Sequence, residues 1–277
     1  MLKILSIILM LLAPISADDS NNSSGFFSNL SKTEKLTITN IGIATGVLTW
    51  GFTQWGYGEE KYHWDNEGWF EKTTSNGGSD KLGHFYTNYL MTRVMSPIYE
   101  DWGYSQRESA LYGSLTAIMI SGLLIEIGDG FSEHGFSTQD VVADTLGATA
   151  GYLLNINPSL AKKIDFRFEY DPFRDTGVKN QTDFTTDYER MKHLMAIKGE
   201  GFEIFEDTPI EYLEFHIGYY SRHFNHDSLP IEGRERNIYI GLGINLSKLF
   251  RPYIGEYSTL FNYIQTPATY VERSNNL

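Results

Sequence analysis

The stretch Gly77–Leu154 contains three apolar segments whose ionisable residues lie only at particular ends. Asp80, Lys81 and His84 open the first segment, Glu126 and Asp129 close the second, and Asp140 and Asp144 open the third. The segments are helix-sized and their linkers are short, which is typical of adjacent antiparallel helices. In an up-down-up arrangement the three ends lie at one level. The sequence therefore predicts a polar cluster of seven ionisable groups at one end of a helical bundle.

The composition of this cluster is compatible with a functional site. Five carboxylates near one histidine could hold a divalent cation; oxygen ligands favour magnesium, calcium or manganese, and His84 would also admit zinc or iron. Crowded carboxylates could instead share a proton and act in general acid catalysis. Lys81 could neutralise the acids or bind a phosphate. No catalytic residue is assigned from the sequence.

A structural interpretation of the same cluster stays open. Asp80 and Asp140 occupy positions where helices need N-terminal caps, and Asp129 precedes a glycine at a helix end. A buried polar network can also fix helix register without any chemistry. Glu126 and Asp144 are the hardest acids to explain as caps, and together with His84 they are the strongest candidates for a functional role.

The first residues have the layout of a secretory signal. Residues 1–17 combine Lys3, an apolar run and a small-residue cleavage site ending at Ala17, so the exported chain is expected to begin at Asp18. Residues 18–34 are expected to form a Ser/Asn-rich linker. The sequence has no cysteine, which excludes disulfides and an acylated lipobox cysteine among these residues.

Residues 35–160 are predicted to form a helical domain of about four apolar helices. The expected helices are Leu36–Phe52, Asp80–Val94 with a stop at Pro97, Glu108–Ile127, and a last helix from Ser137 to Asn155. Ser137 is the expected N-cap of that last helix, with Asp140 completing a capping box. The Glu108–Ile127 segment is long enough either to approach a membrane span or to form a buried core helix.

Residues 161–277 are predicted to be β-rich, which makes the whole chain α+β. Alternation with a period of two is clearest at Ile238, Ile240, Leu242, Ile244 and Leu246, which is typical of half-buried strands. Segments 211–222 and 237–247 are expected to pair as an antiparallel, aromatic-rich hairpin or sheet. We expect the apolar side of this sheet to pack on the helices.

The net charge of −13 argues against nucleic acid as a partner, because a nucleic-acid-binding surface is basic. The 17 Phe and 18 Tyr fit either aromatic core packing or a membrane interface. A membrane or another envelope component is therefore the expected partner, and the sequence leaves the oligomeric state open.

The central stretch resembles the YfiM-like family of uncharacterised, predicted periplasmic proteins, many of which are lipoproteins. The resemblance lies in Gly78-x-Asp80-Lys81-x-x-His84-Phe85, in Glu126-x-x-Asp129, and in Phe136-Ser137-x-x-Asp140-x-x-x-Asp144-x-x-Gly147-Ala148-x-x-Gly151. A weaker resemblance connects the same helix starts to VanZ-like membrane proteins. These resemblances imply a periplasmic location, at the inner or the outer membrane. They imply no particular activity, because the YfiM-like family has none that is established.

Two functions of different classes remain open at this level. The first is a non-enzymatic structural or binding module of the cell envelope. The second is a metal- or carboxylate-dependent hydrolase that acts on a lipid or on a phosphate-bearing envelope component. The sequence does not decide whether the protein is an enzyme.

Overall fold

The computed structural model describes residues 26–176, 187–224 and 230–277. The predicted signal segment 1–17 and the first part of the predicted linker lie outside the described residues. The described chain contains both long helices and a six-stranded sheet, so the predicted α+β class is confirmed.

Two compact units divide the chain. The first comprises residues up to Asn66 together with Thr87–Ile156, and the second comprises Glu67–Tyr86 and Asn157–Leu277. The second unit therefore includes residues 67–86 as well as the strands.

Six helices of five residues or more are described besides the 3-10 helix Gly255–Asn262. They are α1 Lys32–Gln54, α2 Ser79–Asp101, α3 Gln106–Asp129, α4 Thr138–Ile156, α5 Pro158–Lys163 and α6 Leu246–Ile254. Within α3, Ala117–Leu124 is wound as a π-helix between two α-helical parts. Such π segments are rare, and they often occur at functional sites.

Helix α2 continues past the predicted stop at Pro97, so that prediction is wrong. A proline inside a helix removes one backbone hydrogen bond. Continuing the helix keeps Tyr99 fully buried in the core of the first unit. The helix ends instead near Gly103, which has a φ of +92° and whose N–H donates to the carbonyl oxygen of Glu100 at 2.9 Å.

The core of the first unit contains a hydrogen-bonded polar group among its apolar side chains. The Asn40 amide donates to the Tyr99 hydroxyl at 3.0 Å, and the Thr116 hydroxyl donates to the Asn40 amide oxygen at 2.8 Å. The hydroxyls of Tyr99 and Thr116 lie 2.9 Å apart. These three side chains bond to one another in a closed ring, which allows their polar atoms to be buried.

The outer faces of α1, α3 and α4 carry exposed apolar side chains. They are Ile38, Ile41 and Phe52 on α1, Leu111, Leu115, Met119 and Ile127 on α3, and Val142, Leu146 and Leu153 on α4. Among the described residues, α3 is the one helix that passes a test of length and apolar composition for crossing a membrane, and half of its most apolar window is buried. Apolar side chains therefore form the core of this unit and also cover part of its outer surface, while several polar side chains are buried.

The second unit contains the large sheet. Its strands are β3 Ile164–Tyr170, β4 Met191–Lys198, β5 Leu213–Arg222, β6 Glu235–Ile244, β7 Ile264–Gln265 and β8 Tyr270–Asn276, in the order β7-β3-β4-β5-β6-β8. All pairs are antiparallel except β3 with β7. In the first unit, β1 Trp64–Asp65 and β2 Phe136–Ser137 form a separate, short parallel pair.

The alternation along β6 separates two faces, as its sequence predicts. Asn237 and Tyr239 are buried, whereas Ile238, Ile240, Leu242 and Ile244 are 44–51% exposed. The expectation that these apolar residues pack on helices is therefore wrong for Ile240, Leu242 and Ile244, whereas Ile238 lines a cavity together with side chains of α2. Leu246, predicted as part of the strand, is instead the first residue of α6. The pattern identifies the two faces correctly, but the polar face is the buried one, and its charged groups pair with each other.

The buried face of the sheet holds ion pairs. The Arg167 guanidinium, 2% exposed, donates to Asp165 at 2.8 Å and to Glu214 at 2.6 and 2.8 Å. The Lys192 ammonium donates to Glu272 at 2.8 Å. Buried charges are tolerated when they are paired and hydrogen-bonded in this way.

Residues 67–86 are tied to the sheet of the same unit. The hydroxyls of Ser79 and Ser221 lie 2.8 Å apart, and the Arg234 guanidinium donates to the carbonyl oxygens of Lys72 and Thr74 at 2.9 and 3.1 Å. These bonds hold the start of α2 against the sheet.

Replacement of Arg167 tests the ionic interior. We expect Arg167→Leu to lower the free energy of unfolding by about 3–5 kcal/mol, because buried Glu214 loses both hydrogen bonds from the guanidinium and buried Asp165 loses one of its two cationic partners. Chemical denaturation followed by circular dichroism measures this loss. The control Arg273→Leu, at an exposed position of β8, should change stability by less than about 0.5 kcal/mol. Equal effects of the two replacements would contradict the role assigned to Arg167.

Candidate functional site

Two buried carboxylates, Glu126 and Asp144, form the centre of the candidate site in the first unit. Each is 1% exposed, and their nearest carboxylate oxygens lie within 4.8 Å of each other. Glu126 is near the end of α3 and Asp144 is two turns inside α4. Gly122, one turn before Glu126, lets the helices approach: a Cβ there would lie 3.3 Å from the Cβ of Asp144.

Hydrogen-bond donors of the same unit hold both carboxylates. The Asn88 side-chain amide donates to Asp144 Oδ1 and, at 3.3 Å, to the Ser121 hydroxyl. The backbone N–H of Ser137 donates to Glu126 Oε2 at 3.2 Å. Asn88 is fully buried and lies on α2, so three helices contribute side chains to this arrangement.

Ser137 acts as the N-cap of α4, as its sequence predicts. Its hydroxyl accepts a hydrogen bond from the Asp140 N–H at 3.3 Å. In a capping box the third helical residue would also accept the N–H of the cap residue. Here Glu126 accepts that N–H. Glu126 therefore links the end of α3 to the start of α4.

Tyr57 is a neighbour of the site that sequence reasoning missed. Its hydroxyl donates to the carbonyl oxygen of Ile125 at 3.1 Å. Burial, together with the negative charges of Asp129 and Glu126, raises the pKa of the Tyr57 phenol. The ring fills the space beside Gly128, where a Cβ would collide with it. A glycine of that kind is a local signal that a large side chain packs against the helix.

Asp80, Lys81 and His84 lie in the first turns of α2, within the residues assigned to the second unit. The buried Lys81 ammonium pairs with Asp80 at 2.9 Å and with Glu67. These two acids neutralise Lys81 locally, and Glu67 was not among the predicted site residues. His84 is half-buried. Its approach to Glu126 and Asp144 stays a prediction.

The carboxylate pair has a limited set of chemical options. Two negative charges this close and this well buried are strongly unfavourable if nothing compensates them. A shared proton, hydrogen-bond donors or a bound cation relieve the repulsion. The Asn88 and Ser137 donors are neutral, so they lower this cost without cancelling the charge.

Residues 66–156 match a family described as a predicted periplasmic lipoprotein (DUF2279). The match covers about a third of the chain and includes all seven predicted site residues. It supports an uncharacterised family of periplasmic, lipoprotein-like proteins and confirms the predicted periplasmic, membrane-associated location. No curated protein and no solved structure matches the chain. The finer YfiM-like and VanZ-like resemblances stay predictions.

Replacement of Asn88 tests the support of the carboxylate pair. We expect Asn88→Leu to lower the free energy of unfolding by about 1–3 kcal/mol, because a buried Asp144 oxygen loses its donor. Ser121→Ala removes only the neutral hydrogen-bond partner of Asn88, so it should lower the free energy of unfolding by less than Asn88→Leu does. Thermal unfolding of both variants measures the difference. The assignment fails if Asn88→Leu is no less stable than Ser121→Ala.

Proposed function

We propose that this protein is a non-enzymatic, membrane-associated module of the cell envelope whose helical unit contacts lipid through the outer faces of α1, α3 and α4. One observation carries the proposal. In this unit the apolar side chains are exposed on three helices, whereas Asn40, Asn88, Glu126 and Asp144 are turned away from solvent. A water-soluble bundle is expected to show the opposite distribution.

Uncharged residues make up most of α1, α3 and α4. No charged residue occurs from Leu36 to Gln54, from Ser109 to Ile125, or from Thr145 to Ile156. The helices α1, α3 and α4 have 23, 24 and 19 residues, which corresponds to about 28–36 Å. The hydrocarbon core of a bilayer is about 30 Å thick.

Exposed threonines on these faces satisfy their hydroxyls within their own helix. On α1, Thr45 and Thr49 donate to the carbonyl oxygens of Ile41 and Thr45 at 2.7 and 2.8 Å. On α4, Thr145 and Thr149 donate to the carbonyls of Val141 and Thr145 at 2.8 and 2.7 Å. A hydroxyl bonded in this way needs no water, so it is compatible with a lipid-facing surface.

The absence of cysteine gives this surface added importance. No residue of the printed sequence can carry the acyl-cysteine anchor of a lipoprotein. Membrane attachment through these residues would then depend on apolar protein surface, and the three uncharged helix faces provide it.

Cysteine labelling in membrane vesicles tests the proposal directly, because any introduced thiol is the only one in the chain. Leu115→Cys and Leu146→Cys place thiols at positions that are 44% and 56% exposed. We expect both to be protected from a membrane-impermeant maleimide in open membrane sheets, because lipid covers them. The control Glu133→Cys, at an exposed acidic position, should react fully. Equal labelling at all three positions would refute the lipid-facing assignment.

The spacing of Glu126 and Asp144 favours a second candidate, a metal-dependent hydrolase of a lipid or phosphate-bearing envelope component. Two buried carboxylates within 4.8 Å would gain greatly from a divalent cation. His84 lies one helical turn before Asn88 in α2, and Asn88 donates to Asp144. We propose His84 as the nitrogen ligand of such a site; with it, zinc or iron joins magnesium, calcium and manganese as candidates.

Elemental analysis of purified protein distinguishes the two candidates. The hydrolase proposal predicts about one bound divalent metal per chain, lost in Glu126→Gln, Asp144→Asn and His84→Ala because each removes one ligand. Glu133→Gln, which removes an exposed acid elsewhere, should retain the metal. Metal content that is absent, or equal in all variants, would leave the carboxylate pair with a purely structural role.

A further inference from the structure

An apolar cavity of about 500 Å³ lies in the second unit, between the outer face of the sheet and the start of α2. Four neighbouring strands contribute Phe166, Met195, Ile217 and Ile238 to its wall, and α2 contributes Leu82 and Phe85. The rings of Phe85 and Phe166 meet edge to face at 5.0 Å. We propose that this cavity binds a single hydrocarbon chain, the acyl tail of a fatty acid or of a membrane lipid.

The size of the cavity suits such a ligand. Small-molecule sites typically enclose about 300–1,000 Å³ and are mostly apolar. At the roughly 30 Å³ that a water-sized group occupies in a liquid, the cavity has room for about 15 methylene groups. An acyl tail of common length therefore fits without any rearrangement of the sheet.

Among the described residues, the side chains of the wall offer no unpaired charge to a ligand. Arg167 borders the cavity, but its guanidinium is engaged by Asp165 and Glu214. His193 is the second basic residue in the wall. Burial and the positive charge of nearby Arg222 lower the pKa of its imidazole to about 3, so the ring is neutral at neutral pH. An anionic or zwitterionic headgroup has no counter-charge inside, and it must stay at the mouth while the tail enters.

A hydrocarbon chain explains the cavity better than a peptide does. Of the four strands in the wall, β4, β5 and β6 each pair with a neighbour on both sides, whereas β3 pairs with β7 only at Phe168 and Glu169. Within the described residues, β4, β5 and β6 therefore offer no free strand edge at the cavity to receive a peptide backbone. A buried peptide would leave its N–H and C=O groups without hydrogen bonds, which is costly, whereas a methylene chain has no such groups.

Apolar side chains continue from the cavity along the outer face of the sheet. Ile217 pairs with Ile240, and Phe215 pairs with Leu242 one step further on the same face. Ile240, Leu242 and Phe215 are 39–51% exposed and do not line the cavity. This apolar strip provides a route by which a lipid tail can leave a membrane surface and reach the cavity. The inference rests on the second unit alone and does not require that the helical unit contacts lipid.

Titration with cis-parinaric acid, a fluorescent fatty acid, tests the site on the exported protein. We expect saturable binding of one molecule per chain. In Ile217→Trp/Ile238→Trp the added rings occupy the cavity, and affinity should fall at least about tenfold because fewer methylene groups can be buried. The matched control Leu213→Trp/Ile244→Trp adds the same rings to the same two strands, at exposed positions outside both the cavity and the apolar strip. It should bind within about twofold of the unaltered protein.

Two further measurements complete the test. The single variant Ile217→Trp should bind the fatty acid more weakly than the unaltered protein and more tightly than the double cavity variant. It replaces the double variant in the test if the double variant does not fold. Competition with dodecanoate or with phosphatidylethanolamine distinguishes a free fatty acid from a lipid tail, and displacement by either supports the site. Absence of saturable binding, displacement by neither competitor, or equal binding to the cavity and control variants would overturn the proposal.

Discussion

The pairing of buried polar groups is the constraint on which both units depend. Each unit buries polar side chains beside an apolar cluster and carries further apolar side chains on part of its outer surface. A buried charge or amide without a partner costs several kcal/mol, so the interior forms only if its groups are matched. In the sheet, Arg167 satisfies Asp165 and Glu214. Among the helices, Asn88 and the backbone of Ser137 hold the carboxylates of Asp144 and Glu126.

A matched polar interior has a direct consequence for the outer surface. Apolar side chains that are not needed for a core remain available for contact with another apolar phase. On α3 and α4 they form stripes without charge, and on β5 and β6 they cover one face of the sheet. The exposed apolar faces of both units are the basis of the contacts with hydrocarbon that we propose.

Much of the local structure could be predicted from the sequence, because local signals encode it. The Ser137 cap and the alternation along β6 follow from neighbouring residues alone. The sequence also identified Glu126 and Asp144 as the acids that capping does not explain. In the fold their carboxylate oxygens lie within 4.8 Å of each other, which is consistent with selecting these two acids as candidates for a shared site.

The remaining features depend on tertiary contacts that no local pattern encodes. Glu67 pairs with Lys81 across 14 positions, and Tyr57 packs beside Gly128, far along the chain. Pro97 looked like a helix end, but the burial of Tyr99 keeps the helix intact. The period of two along β6 distinguishes two faces, but it does not show which face is buried; in the fold, the ion pairs around Arg167 lie on the buried face.

Fractionation of cells that export the protein tests the central claim, the apolar exterior, most directly. Membranes washed with alkaline carbonate release proteins held by charge and retain those held by apolar contact with lipid. The account predicts that the protein stays in the membrane fraction and becomes soluble only when detergent is added. Release by carbonate as a soluble, monodisperse protein without detergent would contradict it.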